Sequence, residues 1–242
     1  MRFQDKVAVI TGAADGIGRA TSRILAGEGA HLVAVDINPA ALAALAEEIE
    51  TGGGSVTTME VNVLDSQQAE RMVDSVVSSL GRIDILVNAV GGSTIIPNSR
   101  AAVDDLTLED WDNIIDFNLR GTFLCTNAVI KRMKQQGVGK IINLSSVAGH
   151  GATDTSSAYA TAKAGIMAFT KKVAVEAGPY GVTCNAIAPG MTLSDRILRG
   201  WDQRSEEEKR RSIEAIPLGR PAEPEDQAKV IAFLASSDAD YV

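Results

Sequence analysis

Histidine and cysteine are scarce in this chain, two of each among 242 residues, and that scarcity removes whole classes of chemistry. His31 and His150 stand 119 positions apart, which excludes a histidine-rich metal site; a carboxylate-based one stays open, but no metal ligand is assigned. Cys125 and Cys184 form neither a Cys-x-x-Cys pair nor a metal-ligand spacing, so they read as reduced thiols acting as small core residues. No apolar run is long enough for a membrane span or a signal-peptide core; the charged start MRFQDKVAVI leads straight into a short strand-like segment. Basic clusters are missing too. With 23 basic against 31 acidic residues the formal charge is −8, and no Lys/Arg run could track a phosphate backbone or an anionic membrane. Neither nucleic acid nor membrane is an expected partner. The expected setting is soluble and cytoplasmic.

What is present is a regular alternation. KVAVI at 6–10 is short and branched like a buried strand, and TGAADGIG at 11–18 follows it at once. Further strand-like segments fall at 31–36, 55–63, 83–90, 140–146 and 181–188, with helical patterns between them. Asn38 before Pro39 reads as a helix start, as do Asp65 with Gln68 and Ser205 with Glu208. A long helical pattern covers 108–136 and another 157–177; a last helix near the end turns Val230, Ile231, Phe233 and Leu234 inward. The spacing predicts an α/β fold, a doubly wound parallel sheet of Rossmann type with helices on both faces, as one domain over 1–242. Residues 191–222 break the rhythm with charged and apolar residues mixed. They read as a lid over a pocket or as a plain surface hairpin.

The glycine loop admits two readings, a structural turn or an anion cradle. For the second, Gly12 permits a tight turn, Gly16 lets the backbone approach a pyrophosphate, and Gly18 lets the helix pack closely, with free amides facing the anion. Asp36 favours the cradle. It ends the second strand 18 positions after Gly18, where a carboxylate accepts from both hydroxyls of an adenine ribose and repels a 2′-phosphate. Neither Asp15 nor Ile37 supplies a compensating cation, and Arg19 belongs along the helix. NAD(H) is therefore the expected cofactor.

Tyr159 and Lys163 are one helical turn apart. A dehydrogenase needs a base for the alcohol proton, and a nearby ammonium lowers the affinity of a phenol for its proton. Alone, this spacing is also common on solvated helix faces. NLSSVAG at 143–149 adds a hydroxyl at the carboxyl edge of the sheet, from either Ser145 or Ser146, with the other packing or capping.

Together TGAADGIG, Asp36, NAVG at 88–91, Asn118 in FNLRG, NLSSVAG, YATAK at 159–163 and NAIAPG at 185–190 resemble the short-chain dehydrogenase/reductase family over essentially the whole chain. The resemblance implies a catalytic set of Asn118, Ser146, Tyr159 and Lys163, with the serine 13 positions before the tyrosine. Tyr159 would be the acid/base; Lys163 would lower its pKa and hold the nicotinamide ribose; Asn118 would keep a kink in the long helix and anchor a relay water. The implied cofactor contacts are Gly12, Asp15, Gly16, Ile17 and Gly18, then Asp36 and Ile37, Asn62 and Val63 beside adenine, and Asn88, which would hold strands together near the cofactor while Ala89 and Gly91 leave room for it. Tyr159, Lys163, Pro189, Gly190 and Ser194, which keeps a hydroxyl for the carboxamide, complete them. Val90 stands where the family commonly has alanine, and it reads as filling a gap.

The implied reaction passes hydride between NAD(H) and a secondary alcohol or ketone. The pocket walls at 92–104, 150–156 and 191–201 show no arginine-rich patch, which points to a small neutral substrate. His150 reads as a passive loop residue. Two alternatives stay open, a 3-oxoacyl thioester (acyl-carrier) reductase, generally NADPH-dependent and often carrying arginine where Asp15 stands, and an inactive dinucleotide-binding regulator. The family also implies a homo-oligomer, dimer or homotetramer, and a further strand beyond Val242, so that the chain reads as clipped there.

Overall fold

The computed structural model describes residues 1–151 and 153–242, so the expected pocket wall at 150–156 lies outside the described residues at position 152. Strands β1 (Val7–Thr11), β2 (His31–Asp36), β3 (Ser55–Glu60), β4 (Ile85–Asn88), β5 (Gly139–Leu144) and β6 (Val182–Ile187) pair in parallel in the order β3-β2-β1-β4-β5-β6. The expected doubly wound sheet is what forms. Its strand order reverses between β1 and β4, and their carboxyl ends open the crevice in which such sheets bind ligands.

Period-two alternation sorts the strand residues onto two apolar faces. Ala8, Ile10, Leu32, Ala34, Ile85 and Val87 pack with α1 (Gly16–Gly27), α2 (Pro39–Thr51) and α9 (Pro224–Ala235). On the other side Val7, Val9, Val33, Val35 and Leu86 meet α3 (Ser66–Leu80), α5 (Gly121–Gln136) and α6 (Ser157–Ala177). Strands covered on both faces need no polar side, which is why they read as near-continuous apolar runs. Cys125 and Cys184 are buried and unpaired, and burial pushes both thiols up to about 12. They are inert core residues.

The local signals act largely as expected. Asn38 accepts from the Ala41 amide at 3.1 Å ahead of Pro39, and Ser205 and Glu208 make a reciprocal capping box for α8 (Glu206–Glu214). At α3 the cap differs. Asp65 accepts from the Gln67 and Gln68 amides, but Gln68 reaches past it to accept from the Asn62 amide at 2.9 Å. The inward face of α9 is narrower than expected: Ile231 and Leu234 are buried, whereas Val230 and Phe233 are 46% and 42% exposed. The helix packs against α1 and the sheet along one stripe, and those two lie beside it.

The long pattern from 108 is one helical rod with a defect, α4 (Leu108–Ile115), a wider π-type turn at Asp116–Arg120, then α5. Residues 191–222 leave the sheet and return to it. Leu193 N donates to Ala222 O at 2.8 Å and Ala222 N to Met191 O at 2.9 Å, so the excursion carrying α7 (Asp195–Trp201) and α8 is pinned at its base. Neither helix has a fully buried residue.

Candidate active site

The glycine turn is shaped by close approach. A Cβ on Gly18 would lie 2.0 Å from the Gly12 carbonyl oxygen, so only hydrogen fits, and Gly12 itself has a φ of +63° against the backbone of Val90. Asp15 caps α1 by accepting from Gly16 N at 2.7 Å. Arg19 pairs with Glu48 at 3.0 Å and lies along the helix, as expected.

Asp36 ends β2 as a fixed acceptor. Its Oδ2 accepts from Ala14 N at 3.2 Å and its Oδ1 from Ile37 N at 2.8 Å and Asn38 N at 3.1 Å. No ion pair among the described residues neutralises it. Gly12, Asp15, Gly16, Asp36, Ile37, Asn62, Val63, Ala89, Gly91 and Ser194 line one cleft of about 440 Å³, within the roughly 300–1,000 Å³ of small-ligand and cofactor sites. The Asn62 carbonyl oxygen already accepts from Leu64 N at 3.0 Å, leaving one lone pair for a ligand. Val90 lines the cleft while packing on the second apolar face, in keeping with a gap-filling role.

Other expected contacts sit outside that lining. Asn88 is buried, as a strand-tying role implies: its Nδ2 donates to Asn143 Oδ1 at 2.8 Å and to Thr126 Oγ1 at 3.1 Å, tying β4 to β5 and α5, while its Oδ1 is buried without a partner. Ile17 and Gly18 face the cleft only through the start of α1, Pro189 O accepts from Val147 N at 3.1 Å, and Gly190 is exposed. His150 is exposed, as its passive reading requires.

At the carboxyl edge of β5 the two serines divide. Ser145 Oγ donates its proton to Lys163 O at 2.7 Å, whereas Ser146 Oγ accepts from Ala148 N at 3.2 Å and donates only at long range, to Pro189 O at 3.5 Å, a bond that a substrate oxygen could replace. Lys163 is buried; its Nζ donates to Leu144 O at 2.8 Å and lies 5.6 Å from the centre of the Tyr159 ring. Asn118 sits in the π-type turn with both side-chain donors used: Nδ2 donates to Ile114 O and Gly92 O, both at 3.0 Å, and Oδ1 accepts from Gly92 N at 2.8 Å, leaving one lone pair. It holds the loop after β4 against the widened helix.

The protonation pattern departs from expectation. Burial pushes the Tyr159 phenol upward, outweighing the Ser146 hydroxyl and the positive charge of Arg196, which pull it down. Burial first, and then Arg196, push the Lys163 ammonium down to about 7, and its Nζ lies over the Tyr159 ring, 5.6 Å from the centre. Arg196 is a residue the sequence reading passed over. A cation two positions after Ser194 was the available signal.

The chain is similar to known proteins along its whole length. A family model described as enoyl-(acyl carrier protein) reductase matches residues 12–242. A 3-oxoacyl-[acyl-carrier-protein] reductase of Thermotoga maritima is 39% identical over 242 residues, covering 100% of this chain and 95% of the relative. A D-threitol dehydrogenase of Mycolicibacterium smegmatis is 38% identical over 242 residues, covering 100% and 90%. The crystal structure of an NAD+-bound xylitol dehydrogenase superposes with a TM-score of 0.92 at 28% identity, covering 100% of this chain and 96% of the other.

Proposed function

The chain belongs to the short-chain dehydrogenase/reductase family of oxidoreductases, and from that premise we propose that it transfers hydride between NAD(H) and a secondary alcohol or its ketone. The single observation that carries the reading is that Ser146 and Lys163 both meet Tyr159 at the carboxyl edge of β5, with Lys163 Nζ against Gly91 of the cleft that reaches Asp36, although the three do not themselves line that cleft. Gly16, the start of α1, Asp36, Asn62, Val63, Ala89, Gly91 and Ser194 would hold the dinucleotide, and Pro189 and Gly190 would border its nicotinamide end. The fit rests on the Gly12–Gly18 cradle, too tight for any side chain, and on the fixed Asp36 carboxylate. When bound, the nicotinamide supplies the acceptor or donor of hydride.

The chain's own residues handle the oxygen and the proton. Ser146 Oγ donates to the substrate oxygen and stabilises charge there. Tyr159 Oη takes the alcohol proton in oxidation and returns one in reduction. Lys163, fixed to Leu144 O, has two further donors for a ribose hydroxyl. Asn118 keeps Gly92 and the helix in register through three hydrogen bonds, the positioning on which the site depends. Residues 191–222 act as the lid, hinged where Met191 and Leu193 meet Ala222.

NAD(H) over NADP(H) is supported by Asp36, whose carboxylate meets no cation able to receive a 2′-phosphate, and by the NAD+-bound relative. Reduction of a 3-oxoacyl thioester is the second reading, favoured by the Thermotoga relative and opposed by that same carboxylate. The free buried thiols support a reducing, cytoplasmic setting. Phe123, 46% exposed on α5, stacks edge-on with Phe169 of α6 at 6.2 Å, an apolar surface that supports assembly into a dimer or tetramer. The deciding assay is NADH formation or consumption over a panel of secondary alcohols, ketones and 3-oxoacyl thioesters, repeated with Tyr159→Phe. Tight NAD binding without turnover of any of them would favour the regulator instead.

A further inference from the structure

Arg196 reaches from α7 back across the cleft to the glycines that follow β4. Its Nη2 donates to Gly91 O at 3.0 Å, its Nε is buried without a partner, and it makes no ion pair among the described residues. A Cβ built on Gly92 would lie 2.5 Å from both terminal guanidinium nitrogens, so the group rests against that backbone. The reactive groups converge on the same two glycines. Asn118 Oδ1 accepts from Gly92 N, and a Cβ on Gly91 would lie 2.9 Å from Lys163 Nζ. Arg196 thus stands at the reacting end of the cleft, away from the adenosine end marked by Asp36 and Ile37.

A half-buried cation whose Nε has no partner carries an unmet donor that an arriving acceptor would satisfy. A guanidinium is a planar fork whose shape matches two oxygens of one anion. The charged side chains lining the cleft are Arg196, Asp15 and Asp36, so the site offers a single positive charge against two negative ones. That balance fits a carboxylate better than a dianionic phosphate. We propose that Arg196 anchors a carboxylate of the substrate beside the reacting carbon, so that the compound oxidised is a hydroxy acid. This replaces the neutral substrate implied by the lack of an arginine cluster, since one well-placed fork is sufficient. It rests on the dehydrogenase reading and narrows its substrate class. The two-point grip would also orient the carbinol carbon toward Ser146 and Tyr159. The cofactor's pyrophosphate offers similar chemistry, and the test separates the two.

Using the full chain, α- and β-hydroxy acids are assayed with NAD against their methyl esters in the wild type, Arg196→Met and Arg196→Lys. The expected result is an acid-over-ester preference in kcat/KM that falls about 10- to 100-fold in Arg196→Met, the size of losing a charge-assisted hydrogen bond, with partial recovery in Arg196→Lys. A ratio indifferent to Arg196 overturns the proposal. So does weakened NADH binding, read by fluorescence titration, with that ratio unchanged, which would assign the group to the pyrophosphate. Binding decides if neither acid nor ester is oxidised. Isobutyrate, a monocarboxylate, titrated calorimetrically into NADH-saturated protein should bind the wild type and not Arg196→Met, and no binding to the wild type overturns the proposal. Turnover that survives Tyr159→Phe would instead sink the underlying dehydrogenase reading, leaving isobutyrate binding intact.

Discussion

The Ser145 hydroxyl donates to the main-chain carbonyl of Lys163 at 2.7 Å, so the end of β5 and α6 are joined one residue before Ser146. Adjacent serines therefore have opposite duties, and their alanine variants should separate. Ser145→Ala removes the side-chain tie between the end of β5 and α6 and should cost about 0.5–1.5 kcal/mol of stability with little change in kcat. Ser146→Ala loses the cap on Ala148 N at a similar cost in stability, and should in addition lower kcat by about 10²-fold or more, the scale of losing one donor to a developing oxyanion. Equal kcat losses in the two variants would contradict the division.

Tyr159→Phe should reduce turnover by at least about 100-fold, with a small effect on the dissociation constant for NADH. The pH dependence has a definite sign. Because burial holds the phenol above its ordinary value, the neutral form needed for reduction persists through the neutral range, whereas the phenolate needed for oxidation accumulates only as the pH climbs. Oxidative kcat/KM should keep rising past pH 9 while reductive kcat/KM stays nearly level up to there. An oxidative profile already flat by pH 7 would show that a cation does depress the phenol in the working enzyme.

Asp36→Ser should weaken NADH binding by about 10-fold or more, the loss expected when a charged acceptor of two hydroxyl hydrogen bonds is removed. The same change should narrow the gap to NADPH, because the repelling charge goes with it. Paired titrations with the two cofactors measure both effects at once. Unaltered discrimination would move the origin of specificity elsewhere in the cleft.

Much of this site was legible because its signals are local. Gly12, Gly16 and Gly18 lie within one turn, Tyr159 and Lys163 within one turn of helix, and the strand–helix alternation fixes where both end up. What escaped depends on contacts between distant segments. That Asn88 ties strands together was implied by the family resemblance, but nothing near it in sequence names Asn143 and Thr126 as the partners of its amide. Val230 and Phe233 satisfy a helical spacing as well as Ile231 does, and only packing against α1 selects among them. Arg196 is the sharpest case. Its partner Gly91 is 105 positions away, and its effect on Tyr159 and Lys163 exists only once the chain at 191–222 folds over the sheet edge.

Lys163 makes stability itself depend on pH. In the unfolded chain its ammonium holds its proton up to an ordinary value near 10.5, whereas in the folded protein burial and Arg196 bring that value down to about 7. Between those limits the unfolded state binds more protons than the folded one, so stability should rise with pH through this window and become insensitive to this group below it. The slope for one such proton is at most on the order of 1 kcal/mol per pH unit. Lys163→Met removes the titration and keeps an unbranched side chain in the same buried space. Denaturant titrations of both proteins from pH 6 to 10 should therefore give a difference in unfolding free energy that is constant near pH 6 and then grows in favour of the wild type as its own penalty is relieved. A constant difference across the whole range would mean that the folded lysine keeps its proton, and with it the charge available to Tyr159.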